Sequence, residues 1–348
     1  MAGNARVGAL LALFASSALA CDFCSGGATG FVPLQKKIDE SGSVALASIA
    51  KVRPGDVLEF RIEKVLKGAR GIARGDLVTL TTKTFPHPRF RFVLFGKGAD
   101  FTGAQVQLAN NRVAAFVEDA SKLPKPGTRE RLAKLVPYLA DSDLLVAASA
   151  RAEFANAPYA DVNALRPLLA PDDIASWLKE PSTPVASRGV LGLMLGIAGD
   201  RKKYGPVMES LVCNAGWQRK SGYDGLLAGH ILMFGPIACD YLLGLIEPTA
   251  AKGETKPAIA FLKALRFHAQ NEKVLTRESI LGGIRAFLRY PKLADDVLWE
   301  LKRMQDWDSL ERVLRLYAKH PGSRAAVIDY LKACPGERAK QALARIAR

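Results

Sequence analysis

The spacing of apolar residues changes once along this chain, and that change limits the folds open to it. Between residues 43 and 117, apolar and polar side chains alternate in short runs rich in Val, Leu, Phe and Thr. Beyond residue 129, apolar residues recur every three to four positions. A period of two is typical of β-strands and a period of 3.6 of α-helices. We therefore predict an α+β chain whose two parts differ in secondary structure.

Five short runs in the first part are predicted to be strands, separated by turn sequences such as RPGD and GKGADFTG. In the second run, Leu58, Phe60 and Ile62 share one face, which we predict to point into the core. Because so small a flat sheet cannot cover both faces, we expect a closed or half-closed OB-like barrel. The runs are SVALASIAKV (43–52), DVLEFRIEKV (56–65), DLVTLTT (76–82), RFVLFG (91–96) and AQVQL (104–108).

The second part is predicted to be entirely helical. Its apolar stripes, as in PVASRGVLGLMLGIAG (184–199) and DGLLAGHILMFG (224–235), are separated by short turns that contain Gly, Pro or Asp. Antiparallel helix pairs about 40 residues apart are typical of HEAT-like solenoids, and an irregular bundle is the alternative. We predict a signal peptide over residues 1–20, a β-barrel domain over 21–118, a linker over 119–128 and a helical repeat domain over 129–348.

Residues 1–20 have the pattern of an export signal. Arg6 precedes the apolar stretch VGALLALFA (7–15), and ALA (18–20) places small residues where a signal peptidase cleaves. The apolar stretch is too short to span a bilayer, which takes about 20 residues. We expect a periplasmic or extracellular protein that begins at Cys21 after cleavage, either soluble or lipid-anchored.

Cys21 and Cys24 form the most unusual local motif, CDFC. Attachment of a c-type haem would need His where Ser25 stands, and a thioredoxin-like pair would lie at a helix start after a strand. In an oxidising compartment a disulfide between them is favoured. Free or differently paired thiols, a metal site and a lipid on Cys21 remain alternatives, although Ala18 is not the branched residue that lipoprotein signals prefer.

The other three cysteines, Cys213, Cys239 and Cys334, lie in predicted helices, where we expect small buried apolar side chains. A bridge between Cys213 and Cys239 is the alternative.

Trp299 lies in an amphipathic helix and is likewise expected in the core. The pairs Asp172–Asp173 and Asp295–Asp296 open predicted helices, where carboxylates favour the helix dipole.

The first part resembles netrin-like and tissue-inhibitor-of-metalloproteinase-like domains, which are OB-type barrels. The likeness lies in SIAKV (48–52) and in GDVLEFRIEKVLKGARGIARGDLVTL (55–80), where a VLKG phrase precedes a turn and a GD-x-V-x-L strand. In those inhibitors the amine and carbonyl of an N-terminal cysteine chelate the zinc of the protease. The resemblance implies that Cys21 could act in this way, although the barrel lacks the cysteines to which that family pins its N-terminus.

The whole chain resembles a group of uncharacterised secreted bacterial proteins that combine an N-terminal C-x-F-C, a short β-domain and HEAT-like helices. The residues that carry this likeness are CDFC (21–24), AEFANAPY (152–159), GLMLGIAGD (192–200), ALRFH (264–268) and QDWDSLERVLRLY (305–317). This resemblance implies an architecture and a location, and no activity.

No motif for phosphate binding, serine hydrolysis, zinc hydrolysis or dinucleotide binding occurs in the chain. We therefore expect a non-catalytic binding or scaffold protein of the bacterial envelope, without a cofactor, that binds a protein partner through its helical surface. A protease inhibitor or sensor acting through Cys21, and an enzyme built from dispersed residues, are the alternatives.

The formal charge of +15 also suits an anionic envelope polymer or membrane surface, whereas export makes nucleic acid an unexpected ligand. The segment FPHPRFRF suggests a recognition loop, or merely a strand entrance, that contains Phe85, His87, Arg89 and Arg91.

Mass spectrometry of the protein purified from an envelope fraction tests the N-terminal predictions together. We expect a chain that begins at Cys21, with the mass of two hydrogens missing because Cys21 and Cys24 are joined. An added acyl mass on Cys21 would support the lipid anchor instead. A chain that retains residues 1–20 would contradict export.

Overall fold

A computed structural model describes residues 31–68, 71–84, 89–98, 100–271 and 274–346. Over these residues the chain is α+β, as predicted, with an antiparallel sheet followed by a long series of helices. The predicted signal peptide and the CDFC motif lie outside the described residues.

The sheet has five strands in the order β3-β2-β1-β4-β5, all antiparallel. The described strands form an open sheet with β3 and β5 at its edges, and each starts within one residue of its predicted position. The strands are β1 (Ser43–Arg53), β2 (Val57–Lys67), β3 (Leu77–Thr81), β4 (Arg91–Gly96) and β5 (Gln105–Ala109).

One face of the sheet is strongly concave. Phe60 of β2 and Phe92 of β4 meet edge to face with ring centroids 5.5 Å apart, although β1 runs between their strands. Two strand spacings in a flat sheet amount to about 9.5 Å, so the sheet must curl to bring the rings together. The small Ala45 and Ala47 of β1 belong to the same buried cluster and leave room for this contact. Leu58, Phe60 and Ile62 are buried, as their spacing predicted.

The opposite face of the sheet packs against helices. Val44 and Leu46 of β1 and Val93 and Phe95 of β4 belong to one buried cluster that continues into the helical part. Helices α1 (Leu34–Glu40) and α2 (Asn111–Ala120) flank the sheet, and both contact α4 (Leu144–Asn156). Neither α1 nor α2 was predicted from the sequence. The sheet and the helices thus share a continuous core.

The remaining described helices all lie beyond residue 128, in the part predicted to be helical, although those at Tyr159–Ala164 and Ala215–Gln218 were not themselves predicted. In addition to α4, they are α3 (Arg129–Leu135), α5 (Tyr159–Ala164), α6 (Pro171–Lys179), α7 (Val185–Ala198), α8 (Arg201–Cys213), α9 (Ala215–Gln218), α10 (Tyr223–Phe234), α11 (Ile237–Ala251), α12 (Lys256–Asn271), α13 (Arg277–Ala286), α14 (Ala294–Arg303), α15 (Leu310–Lys319), α16 (Arg324–Ala333) and α17 (Glu337–Ile346). Short 3₁₀ helices cover Val136–Ala140, Arg166–Leu168, Phe287–Arg289, Pro291–Leu293, Trp307–Ser309 and Pro321–Ser323.

From α7 onward the helices stack in two layers. The first layer consists of α7, α10, α12, α14 and α16, each packed against the next, and α8, α11, α13, α15 and α17 form the second layer. Successive first-layer helices begin roughly 30–40 residues apart, which is the spacing of helical repeats. Acidic residues occupy the first turns of α6 and α14, where they favour the helix dipole as predicted.

A buried arginine links the segments that connect the sheet to the helical part. Arg131 of α3 is 1% exposed, and its Nη2 lies 2.6 Å from Asp39 of α1. Its Nε lies 2.7 Å from Glu153 of α4, and Nη1 donates to the carbonyl oxygen of Pro124 at 3.0 Å. One side chain therefore ties α1, the proline-rich segment, α3 and α4 together.

Helices α7 and α10 touch through their backbones. Glycines occur with the same spacing in both segments: Gly189, Gly192 and Gly196 around α7, and Gly222, Gly225 and Gly229 around α10. A Cβ atom on Gly229 would lie 2.0 Å from the carbonyl oxygen of Gly192, and one on Gly225 would lie 2.3 Å from that of Gly189. Both distances are far below van der Waals contact, so no larger residue fits at these positions.

The substitution Gly229→Ala should lower the free energy of unfolding by at least about 2 kcal/mol, because its methyl group must push α7 and α10 apart. Gly244→Ala in α11 is the matched control. A Cβ there meets open space, so alanine should stabilise the protein by about 0.5–1 kcal/mol through its helix propensity. Urea unfolding of both variants measures the difference, and equal midpoints for Gly229→Ala and the wild type would contradict the backbone contact.

Candidate functional site

The predicted recognition loop is only partly within the described residues. Phe85 and His87 lie outside them, as do Cys21 and Cys24. Arg89 is exposed just before β4. Arg91 is the first residue of β4, and its Nε lies 2.9 Å from Oε2 of Glu63, so it forms part of a cross-strand ion pair.

The helical cysteines are free thiols, so the alternative bridge between Cys213 and Cys239 is not formed. Cys239 and Cys334 are buried, as expected. The expectation of burial is wrong for Cys213, which is exposed at the end of α8 with its Sγ 2.9 Å from Oη of Tyr241. Helix α8 ends at this residue, and the chain turns there toward α9. Within the described ranges, no group of three or more His, Cys, Asp or Glu could hold a metal ion.

A concave surface lies over the first layer of helices. Two cavities flank α12, with volumes of about 380 and 300 Å³, and Ile259 and Lys263 line both of them. We call the two together the α12 groove. Its other described lining residues are Gln218, Arg219, Lys220, Ser221, Gly222, Tyr223, Asp224, Lys256 and Ala260 in the first cavity, and Leu262, Arg266, Asp295, Asp296, Trp299 and Glu300 in the second.

The first cavity is basic above a buried carboxylate. Gly222 adopts a left-handed conformation with φ of 85°, which turns the chain into α10 and places Asp224 in its first turn. Asp224 is 8% exposed, and burial raises the pKa of its carboxyl group, although Lys263, 3.9 Å away, favours the charged form. Lys220 and Lys256 are exposed at the rim. This end of the groove therefore carries excess positive charge.

The second cavity is built around an exposed tryptophan. The sequence predicted Trp299 in the core, and the prediction is wrong, because its side chain is 44% exposed. The Arg266 guanidinium lies 4.6 Å from the ring centroid and the Arg303 guanidinium 5.8 Å. Both arginines bind Glu300, whose Oε1 lies 2.9 Å from Nε of Arg266 and whose Oε2 lies 3.0 Å from Nε of Arg303. The buried carboxylate thus holds both cations against the tryptophan ring.

Asp295 and Asp296 make this second end of the groove acidic. Burial and, after it, the neighbouring Asp295 raise the pKa of Asp296, and burial likewise raises the pKa of Glu300. The groove is therefore polarised, with lysines beside α10 and, beside α14, carboxylates together with the two arginines that Glu300 binds. Neither cavity has His or Cys among its described lining residues. Such a surface is suited to recognition by charge and stacking.

Two buried histidines lie close to these helices. His230 of α10 stacks between Phe234 and Tyr241, with centroid distances of 4.4 and 5.7 Å, and neither ring nitrogen has a partner. His268 of α12 bonds the carbonyl oxygen of Ala228 through Nε2 at 3.1 Å. Burial lowers the pKa of each ring to about 4, with Arg201 adding to the shift at His230.

Comparison with protein-family models, with curated proteins and with solved structures gives no match for this chain. No helix within the described segments is both long and apolar enough to cross a membrane.

The buried histidines predict a specific pH dependence. Above about pH 6.5 both rings are neutral in the folded and unfolded chains, so they add nothing to the pH slope. As the pH falls from about 6.5 to 4, the unfolded chain binds the protons first, and stability should fall by up to about 1.4 kcal/mol per pH unit for each histidine. His230→Phe should flatten this slope in urea unfolding measured across the window. The exposed His320→Gln is the control, and an unchanged slope in His230→Phe would contradict the assignment.

Proposed function

We propose that this protein is a non-catalytic binding protein that holds a short extended segment of a protein partner in the α12 groove. The observation that carries the proposal is the exposed Trp299, fixed by two arginines within a polarised groove. Aromatic and arginine side chains dominate the energetics of protein interfaces, and here they stand together on an exposed surface.

The dimensions of the groove suit a peptide. It crosses α12 from the first turn of α10 to the first turns of α14, which is a span of two helix spacings, or about 16–20 Å. An extended chain covers about 3.3 Å per residue, so five or six residues bridge the two cavities. A folded domain would instead need a contact area several times larger.

The charges set the orientation and composition of the segment. Acidic side chains of the partner belong beside the exposed Lys220 and Lys256 and the half-buried Lys263. An apolar or basic side chain belongs beside Trp299 and the Asp295–Asp296 pair. A segment laid the other way would place like charges together at both ends, which costs affinity.

The architecture around the groove supports a scaffold function. The layered helix pairs are consistent with HEAT-like repeats, which present long surfaces to proteins. The curled sheet is consistent with an OB-like or netrin-like domain. The proposed setting is the bacterial envelope, and it rests on the sequence pattern of residues 1–20.

A peptide-display selection on the purified protein tests the proposal. We expect the selected peptides to combine acidic residues with an aromatic, apolar or basic residue about five positions away. Trp299→Ala should weaken their binding by at least about tenfold, the usual loss at the centre of an interface. Tyr241→Ala removes an aromatic ring of equal exposure, 45% against 44%, outside the groove and should leave binding unchanged.

The charge requirement has its own check in the same assay. Lys263→Glu should weaken acidic peptides, because it places a like charge between the two cavities. Peptides that bind Trp299→Ala and Lys263→Glu as tightly as the wild type would exclude the α12 groove as their site.

A further inference from the structure

A separate basic cavity has no lining residue in common with the α12 groove. It lies between the 3₁₀ helix Phe287–Arg289 and α15 and has a volume of about 300 Å³. Arg312, Arg315 and Lys319 line it from one face of α15, at positions i, i+3 and i+7. Arg289 and His320 complete the basic lining.

Nearby carboxylates leave most of this charge uncompensated. Glu247 pairs with Arg289 at the rim. Glu311 precedes the cluster in α15, but its side chain is bound by Arg338 of α17, with Nε 3.0 Å from Oε1. Among the described residues, no carboxylate lies within ion-pair distance of Arg315 or Lys319. Arg315 still acts on Glu311 at longer range and, after Arg338, helps to lower the pKa of its carboxyl group, so the positive charge of the cavity is compensated only in part.

The cavity is also held in shape. Leu288 and Leu316 are buried at its base, so the basic groups stand on a packed apolar floor. The Arg312 guanidinium is oriented by donating from Nη2 to the carbonyl oxygen of Arg285 at 3.0 Å. Arg285 is itself fixed by Asp306, whose Oδ1 and Oδ2 lie 2.5 and 2.9 Å from its Nη2 and Nε. Guanidinium groups fixed in this way lose little entropy when they bind an anion.

We infer that this basic cavity binds a phosphoryl group carried by a small soluble ligand, such as pyrophosphate or a phosphate ester. Guanidinium forks match phosphate oxygens with paired hydrogen bonds, and several cations around one cavity favour an anion with more than one negative charge. A lipid headgroup offers the same chemistry. However, none of the exposed large apolar residues in the described chain lies on Phe287–Arg289 or α15, where they would enter a bilayer.

The test is calorimetric titration of the full chain with pyrophosphate at fixed ionic strength. The double variant Arg315→Gln/Lys319→Gln should bind at least about tenfold more weakly, because it removes charge-assisted hydrogen bonds. The matched control is Lys332→Gln/Arg345→Gln, which removes one exposed lysine and one exposed arginine from the last turns of α16 and α17. Its affinity should stay within about twofold of the wild type, because the net charge is equal but the cavity is intact.

Each outcome decides the inference. A selective loss in the cavity variant, with unfolding midpoints equal to the control, supports it. An equal effect of the two double variants, or no binding of pyrophosphate by the wild type, overturns it. Vesicles of phosphatidylglycerol in phosphatidylcholine form the second arm of the test. Cavity-dependent binding to vesicles without binding to pyrophosphate would assign the phosphoryl group to a lipid and overturn the soluble ligand.

Discussion

The backbone contact between α7 and α10 is the constraint on which the helical part of this protein depends. Helices separated by side chains lie about 8–10 Å apart, whereas glycine against glycine allows a closer approach. The carbonyl oxygens of Gly189 and Gly192 occupy the space that Cβ atoms of Gly225 and Gly229 would need. This contact fixes α10 against α7, and α12 and α14 are then placed in turn by α10. The first turn of α10, which begins beside Gly189, lines the α12 groove.

The sheet is attached to this stack by charge as well as by apolar contact. Removing Arg131, Asp39 and Glu153 from water is costly, so their ion pairs contribute less net stability than their short distances suggest. Their effect is specific geometry, because one guanidinium contacts Asp39 of α1, the carbonyl oxygen of Pro124 and Glu153 of α4 at once. The apolar cluster that runs from β1 and β4 into the helices provides the driving force. Burial of this apolar cluster stabilises the contact between sheet and helices, and the ion pairs of Arg131 determine how α1, α3 and α4 are arranged within it.

The sequence predicts elements well where one periodicity runs unbroken. The strands and, apart from α9, the helices from α6 onward lie within a few residues of the predicted segments. Helix α1 was missed because it is too short to show a period. Helix α2 was missed because it follows β5 directly. Asn110 caps α2, and its side chain accepts a hydrogen bond from the amide of Val113 at 2.9 Å. Two aspartates precede α4 in the sequence, and Asp143 caps the helix, because Asp141 binds the amide of Asp143 instead.

The sites are less predictable because they join residues that are distant in sequence. The α12 groove combines segments that begin near residues 218, 256 and 295, and only the stacking of helices brings them together. Trp299 lies beside apolar positions of α14, so its pattern alone indicated the core. The basic cavity did leave a signal in RVLRLYAKH (312–320), where cations recur at helical spacing. This pattern does not include Arg289, which precedes α14 in the sequence. Arg289 lies opposite the basic face of α15 and closes the other side of the cavity.

The antiparallel pairing of helices places both sites at the same end of the stack. The second-layer segment ending at Arg289 leads through Pro291–Leu293 into the first turn of α14, which lines the groove. Asp306 stabilises the turn from α14 to α15, because its carboxylate binds Arg285 and Ser309 while its carbonyl oxygen accepts from Tyr330. The groove thus uses the first turn of α14, and Asp306, which follows α14, holds the Arg285 whose carbonyl oxygen orients Arg312 of the cavity. The two sites share no lining residue, so both can be occupied at once.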